Sequence, residues 1–141
     1  MPAAGKQPIR KYAAEQTAAR LDRLAWQMSH GGHMTQPKAV HDLRVSIRRF
    51  LSCLDVFGSM FPKPASRKVR GQLENVMALA GEVRDRDIAA DLAREAGLSG
   101  ETSVVAELLA GRLKAAAELH RVLTRLVKRS ASDKWREQLN L

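Results

Sequence analysis

From Ile9 onward, apolar residues return every three or four positions along most of the chain. No stretch alternates with a period of two, and β-branched residues are sparse, so the pattern predicts helices and no sheet. Ile9, Tyr12, Ala13, Leu21, Leu24 and Met28 mark a first helix starting at Pro8, a residue suited to a first helical turn. His30-Gly31-Gly32-His33 stops it, and residues 1–7 read as a flexible tail. Pro37 opens a second helix reaching Gly58, with Val40, Leu43, Ile47, Phe50, Leu51, Leu54 and Phe57 on one broad face. Pro62-Lys63-Pro64 breaks the chain again. A third helix is predicted over residues 65–96, striped by Val69, Leu73, Val76, Met77, Ala80, Val83, Ile88 and Leu92. Gly71 and Gly81 inside it each cost ~1 kcal/mol of helix stability, which points to a close crossing or a kink. A fourth helix follows over about residues 101–128, striped by Val105, Leu108, Leu109, Leu113, Leu119, Leu123 and Leu126. Ser132 or Asp133 is placed to cap a short last helix carrying Trp135 and Leu139.

Long amphipathic helices joined by short loops form an all-α, up-and-down four-helix bundle, here with a short C-terminal extension. The bundle is expected to be a single domain over residues 8–141. Its buried set should include Val40, Leu43, Ile47, Phe50, Leu54, Val76, Val83, Leu109 and Leu123. At 141 residues and 45% hydrophobic content the chain has material for one core.

The second helix carries something a bundle does not require. His41, Arg44, Arg48 and Ser52 run along it away from the apolar stripe, with Lys38 and Arg49 on the flank. Like charges spaced three or four residues apart repel by a few tenths of a kcal/mol per pair. Solubility alone would interleave acids, and the nearest, Asp42, stands to one side. The bland alternative is a solvated helix face. Basic residues recur on the other helices: Arg20 and Arg23, then Arg67, Lys68, Arg70 and Arg84, then Lys114, Arg121, Arg125 and Lys128. A net charge of +9 and a pI near 10.4 give the partner's sign as polyanionic.

Other chemistries find little support. Cys53 is the single cysteine, so no internal disulfide forms, and a packed thiol in a reducing compartment is expected. There is no signal core and no apolar run near the ~18 residues of a membrane span. A soluble cytoplasmic protein is predicted. His30 and His33 frame two glycines without a Cys or acidic partner at zinc spacing, so no metal or other cofactor is expected. Asp87 and Asp91 stand four apart and suit Mg²⁺ beside a phosphate. Pairing with Arg84 and Arg94 is the favoured reading of them. No nucleophile has a visible base and no phosphate-binding loop occurs, so no enzyme is predicted. Aromatics make up 4% of the chain, too few for a single-strand stacking platform. Non-specific nucleic-acid binding is the alternative function.

Val40-His41-Asp42-Leu43-Arg44-Val45-Ser46-Ile47-Arg48-Arg49-Phe50-Leu51-Ser52 resembles the H-x-x-R-V-x-x-R-R-L-R segment of CHAD domains, the conserved histidine α-helical domains. Val83-Arg84-Asp85-Arg86-Asp87-Ile88 is similar to that family's R-D-x-D-V landmark on the next helix. Leu51 stands where the first motif ends in arginine. The resemblance implies an all-helical protein that binds inorganic polyphosphate, without chemistry, through His41, Arg44, Arg48, Arg49 and Arg84. Lys38, Arg20, Arg121, Arg125 and Lys128 complete the candidate site, and association with polyphosphate granules is a corollary. The family's usual domain has two four-helix bundles around a channel, and residues 16–126 match one of them. A homodimer is therefore expected, joined through Trp135, Leu139 and Leu141.

Overall fold

The computed structural model describes residues 2–32, 34–100 and 102–141, with side chains from Pro8 onward. The described residues form five helices and no strand: α1 (Pro2–His30), α2 (Pro37–Val56), α3 (Lys63–Glu95), α4 (Ser103–Lys128) and α5 (Ala131–Gln138). A 3₁₀ turn, Gly58–Met60, links α2 to α3. The helical backbone of α1 takes in residues 2–7, which the sequence reads as a tail, and Pro8 lies inside the helix. Thr102 caps α4 by accepting from the Val105 N–H at 3.4 Å. Ser132 and Asp133 do not cap α5. Ser130 precedes it in a left-handed conformation, φ 52°, without a side-chain cap.

α1 and α3 each pack against both α2 and α4, so α2 and α4 lie across the diagonal of the bundle. α5 folds back on α1, α3 and α4 and closes one end. Of the expected core, Val40, Leu43, Ile47, Phe50, Leu54, Val76, Val83 and Leu123 are buried. Each such side chain contributes ~1.5–3 kcal/mol on leaving water.

Leu109 is the exception, at 40% exposed. The reason lies in helix lengths. An ion pair between Arg70 and Asp55 sets the antiparallel register of α3 on α2. A second pair, Asp87–Arg112, sets that of α4 on α3. Counting from these, the start of α2 at Pro37 is level with Ile88 of α3 and Gly111 of α4. Residues 89–95 and 103–110 therefore run on as a two-helix overhang, and Leu109 sits there facing Ala90. Ile88, Leu92 and Leu113, also expected inside, are exposed as well. Ile88 and Leu113 stand one position past the seam residues Asp87 and Arg112, and Leu92 lies off the seam within the overhang.

The same register pairs residues of that seam layer by layer: Leu73 with Leu126, Val76 with Leu123, Ala80 with Leu119, Val83 with Ala116, and Asp87 with Arg112. Large faces small in two of these layers, as close packing requires. Gly71 and Gly81 do not mark the close crossing, because a Cβ at either would meet nothing within 4 Å. At Gly111 the Arg86 side chain lies over the helix, so a Cβ there would stand 2.7 Å from Arg86 Nε.

Trp135 and Leu139 are 2% and 1% exposed and belong to the core, while Leu141 is half-buried against it. Trp135 Nε1 donates to Gln72 Oε1 at 2.8 Å, and Arg136 pairs with Asp22 of α1. Trp135 and Leu139 thus close the bundle of their own chain and are not left over as a surface for a second copy. Cys53 is a half-buried free thiol. No described helix is long and apolar enough to cross a membrane.

Candidate polyanion-binding face

The α2 register explains where its cations go. His41, Arg48 and Asp55 occupy positions seven apart on α2, and Arg70, Met77 and Arg84 do so on α3. Residues seven apart return to nearly the same face of packed helices. Arg70 pairs with Asp55, and its Nη2 also reaches the Leu51 carbonyl at 3.5 Å. Two heptads along, ~21 Å at 1.5 Å per residue, Arg84 is level with His41. One end of the α2–α3 groove is thus neutralised by an ion pair. The other holds His41, Arg44, Arg48 and Arg84, none of which has a carboxylate within ion-pair distance among the described residues.

Arg44 is not turned fully away from the protein, as its place in the stripe suggests. It is half-buried, and its Nε is buried without a hydrogen-bond partner. An unmet donor of this kind is rare in proteins. A phosphate oxygen is a fitting acceptor, because guanidinium forks bind phosphates in charge-assisted pairs. Arg84 is half-buried too, whereas His41 and Arg48 are exposed.

On the other flank of α2, Arg20, Arg48 and Arg49 line one groove of about 400 Å³ against α1. Tyr12 and Phe57 meet edge to face across this groove, ring centroids 6.1 Å apart. α2 is therefore a basic ridge with a cationic groove on each side, and Arg48 lies at the crest.

Four expectations resolve differently. Lys38 is held by Asp42 at 2.9 Å. Arg121 pairs with Glu118 at 2.7 Å. Arg121, Arg125 and Lys128 line a separate hollow on α4, across the diagonal from α2. The single candidate site therefore divides in two. Finally, Asp91 pairs with Arg94 at 3.0 Å, as the sequence suggests, but Asp87 does not pair with Arg84.

Asp87 instead accepts from Arg112 Nε of α4 at 2.7 Å, with the two side chains 11% and 12% exposed. Arg112 Nη1 also donates to the Met34 carbonyl at 3.1 Å. Arg112 thereby ties the α3–α4 seam to the turn that launches α2, where Met34 is left-handed at φ 57°. Asp87 Oδ2 and Arg112 Nη2 are buried without partners. Arg112 escapes a reading by composition, which counts it as one more surface cation. The signal that reveals it is positional, since Asp87 and Arg112 each fill a seam position in a regular four–three spacing.

His30 is engaged locally, stacked on Trp26 and bonded to the Trp26 carbonyl at 3.1 Å. His33 and Glu101 lie outside the described residues. Among the described residues no cluster of three His, Cys, Asp or Glu is placed to hold a metal ion.

A sequence model of the CHAD domain matches residues 17–141, all but the first sixteen residues of the chain. The chain belongs to the CHAD-domain family. Both motif segments fall inside the matched CHAD region, and so does α5, which lies beyond the stretch the motifs alone suggested. CHAD domains are associated with polyphosphate binding and are binding domains rather than catalytic ones. No curated protein and no solved structure matches the chain.

Proposed function

We propose that this CHAD domain binds inorganic polyphosphate, without chemistry, along the basic ridge of α2 and the grooves beside it. His41, Arg44, Arg48 and Arg84 form one wall of donors, with Arg20 and Arg49 on the other flank. The observation that carries the reading is the division of the cations. Arg70, Arg94, Arg112 and Arg136 are matched to carboxylates. The α2 ridge is not, and Arg44 keeps a buried, unmet N–H.

Polyphosphate is a flexible polyanion with no bases. A binder needs a cationic track and arginine forks, and no stacking platform. The exposed rings fit that need poorly as platforms, since Tyr12 rests on Phe57 and Trp26 on His30.

Titration calorimetry with polyphosphate at physiological salt tests the proposal, with duplex DNA as competitor. Polyphosphate is expected to bind and to displace DNA. Weakened binding in Arg48→Ala/Arg84→Ala, with an unchanged melting curve, supports the site. Undiminished binding by that variant overturns it.

A further inference from the structure

We infer that the molecule is bivalent for polyphosphate, with a second binding face on α4 and α5 that lets one chain bridge two polymer strands. This rests on the function proposed for the α2 ridge. The second face begins at the hollow of about 620 Å³ lined by His120, Arg121, Thr124, Arg125, Lys128 and Arg129. It continues across α5, because Arg129 also lines a smaller hollow with Lys68, Lys134 and Gln72. Of Arg121, Arg125, Lys128, Arg129, Lys134 and Lys68, Arg121 alone is matched to a carboxylate among the described residues. The result is a tract of Arg125, Lys128, Arg129, Lys134 and Lys68 that spans three helices.

This tract is not a continuation of the first face. On the α1 side, the groove between α1 and the α4–α5 turn is lined by Asp22 and Asp133 and by no Lys or Arg. On the α3 side, Asp55 and Glu74 flank Arg70 between the two regions. Because Asp22 is matched by Arg136 and Asp55 by Arg70, each route carries an ion pair and one further carboxylate, Asp133 or Glu74, in place of unmatched cations.

Distance separates the faces as well. By helix register the axial offset runs from three residues, ~5 Å, between Arg48 (level with Met77) and Arg125 (level with Glu74) to thirteen, ~20 Å, between Arg84 and Lys128 (level with Gly71). The diagonal of the bundle adds to that, at ~8–10 Å between neighbouring axes. Charges so placed lie beyond the ~8 Å screening length at physiological salt, so each face binds on its own. A polymer strand on the ridge leaves the α4 face free for another strand, or for a distant stretch of the same one. Long polyphosphate is then cross-linked, whereas a short oligomer merely fills each face.

Two measurements on the full chain test this. Calorimetry with a linear polyphosphate too short to reach between the faces is expected to give two oligomers per chain. Arg125→Glu/Lys128→Glu, both exposed positions, is expected to give one while keeping the helical circular-dichroism melt. Light scattering with long polyphosphate is expected to show large assemblies for the wild type and their loss in the variant, which still binds. One oligomer per wild-type chain that the variant still binds, or two per variant chain, overturns bivalency and leaves the ridge standing, whereas one that the variant loses overturns the ridge. No binding at all by the wild type overturns the ridge itself.

Discussion

Arg44 and Arg48 stand one helical turn apart and should respond differently to the same substitution. Arg48 is exposed, so Arg48→Ala is expected to weaken polyphosphate binding by ~1.5–3 kcal/mol, the range for hydrogen bonds to charged groups, with the melting temperature unmoved. Arg44→Ala should weaken binding as much and also lower the melting temperature slightly, because its half-buried stem packs on the protein. Calorimetry beside a thermal melt separates the two effects. A larger response belongs to Asp87, which contacts no polymer. Asp87→Asn leaves a buried guanidinium uncompensated, and breaking such a pair costs ~3–5 kcal/mol by chemical denaturation. The ridge was legible in the sequence because a run of cations without acids is a local pattern. Arg112 was not, because its meaning depends on Asp87, twenty-five residues away, and only packing brings the two together.

At the level of helices, apolar spacing fixed number, order and class, since a repeat of three to four positions admits little else. It did not fix how much of each stripe is covered. That depends on the length of the neighbour, and α3 and α4 outrun α2, which exposes Leu92 and Leu109. The glycines show the same dependence on partners. Gly71 and Gly81 look alike in sequence to Gly111, yet only Gly111 has a side chain against it. Gly71→Ala is therefore expected to raise stability by ~0.5–1 kcal/mol, read from urea unfolding. A loss instead would mean that the space beside Gly71 is not open. Helix α5 was legible as a helix but not as part of the core. Trp135→Ala is expected to cost ~3–5 kcal/mol, because it empties the capped end of the bundle and orphans Gln72.

At the scale of the whole molecule the net charge is +9, so binding of a polyanion should be steeply salt-dependent. A plot of log affinity against log salt is expected to be linear, with a slope that becomes shallower by about one unit for each phosphate contact removed from the ridge. The Asp87–Arg112 pair has a consequence of another kind. The seam of α3 and α4 repeats every seven residues, so sliding one helix past the other by a heptad, ~10 Å, would again bring apolar layers together. Such a slip sets each charge against a hydrocarbon layer, at a penalty of several kcal/mol per ion. The pair therefore acts as a key that admits one alignment. Asp87→Leu/Arg112→Leu is expected to match or exceed the wild type in stability and to show a second set of amide resonances from the slipped form. A single set would mean that the alternation of large and small layers suffices. What the charged pair supplies is uniqueness. Because Arg112 also holds the turn before α2, a slipped α4 would move the base of the ridge, and the positions of His41 and Arg44 depend on that one alignment.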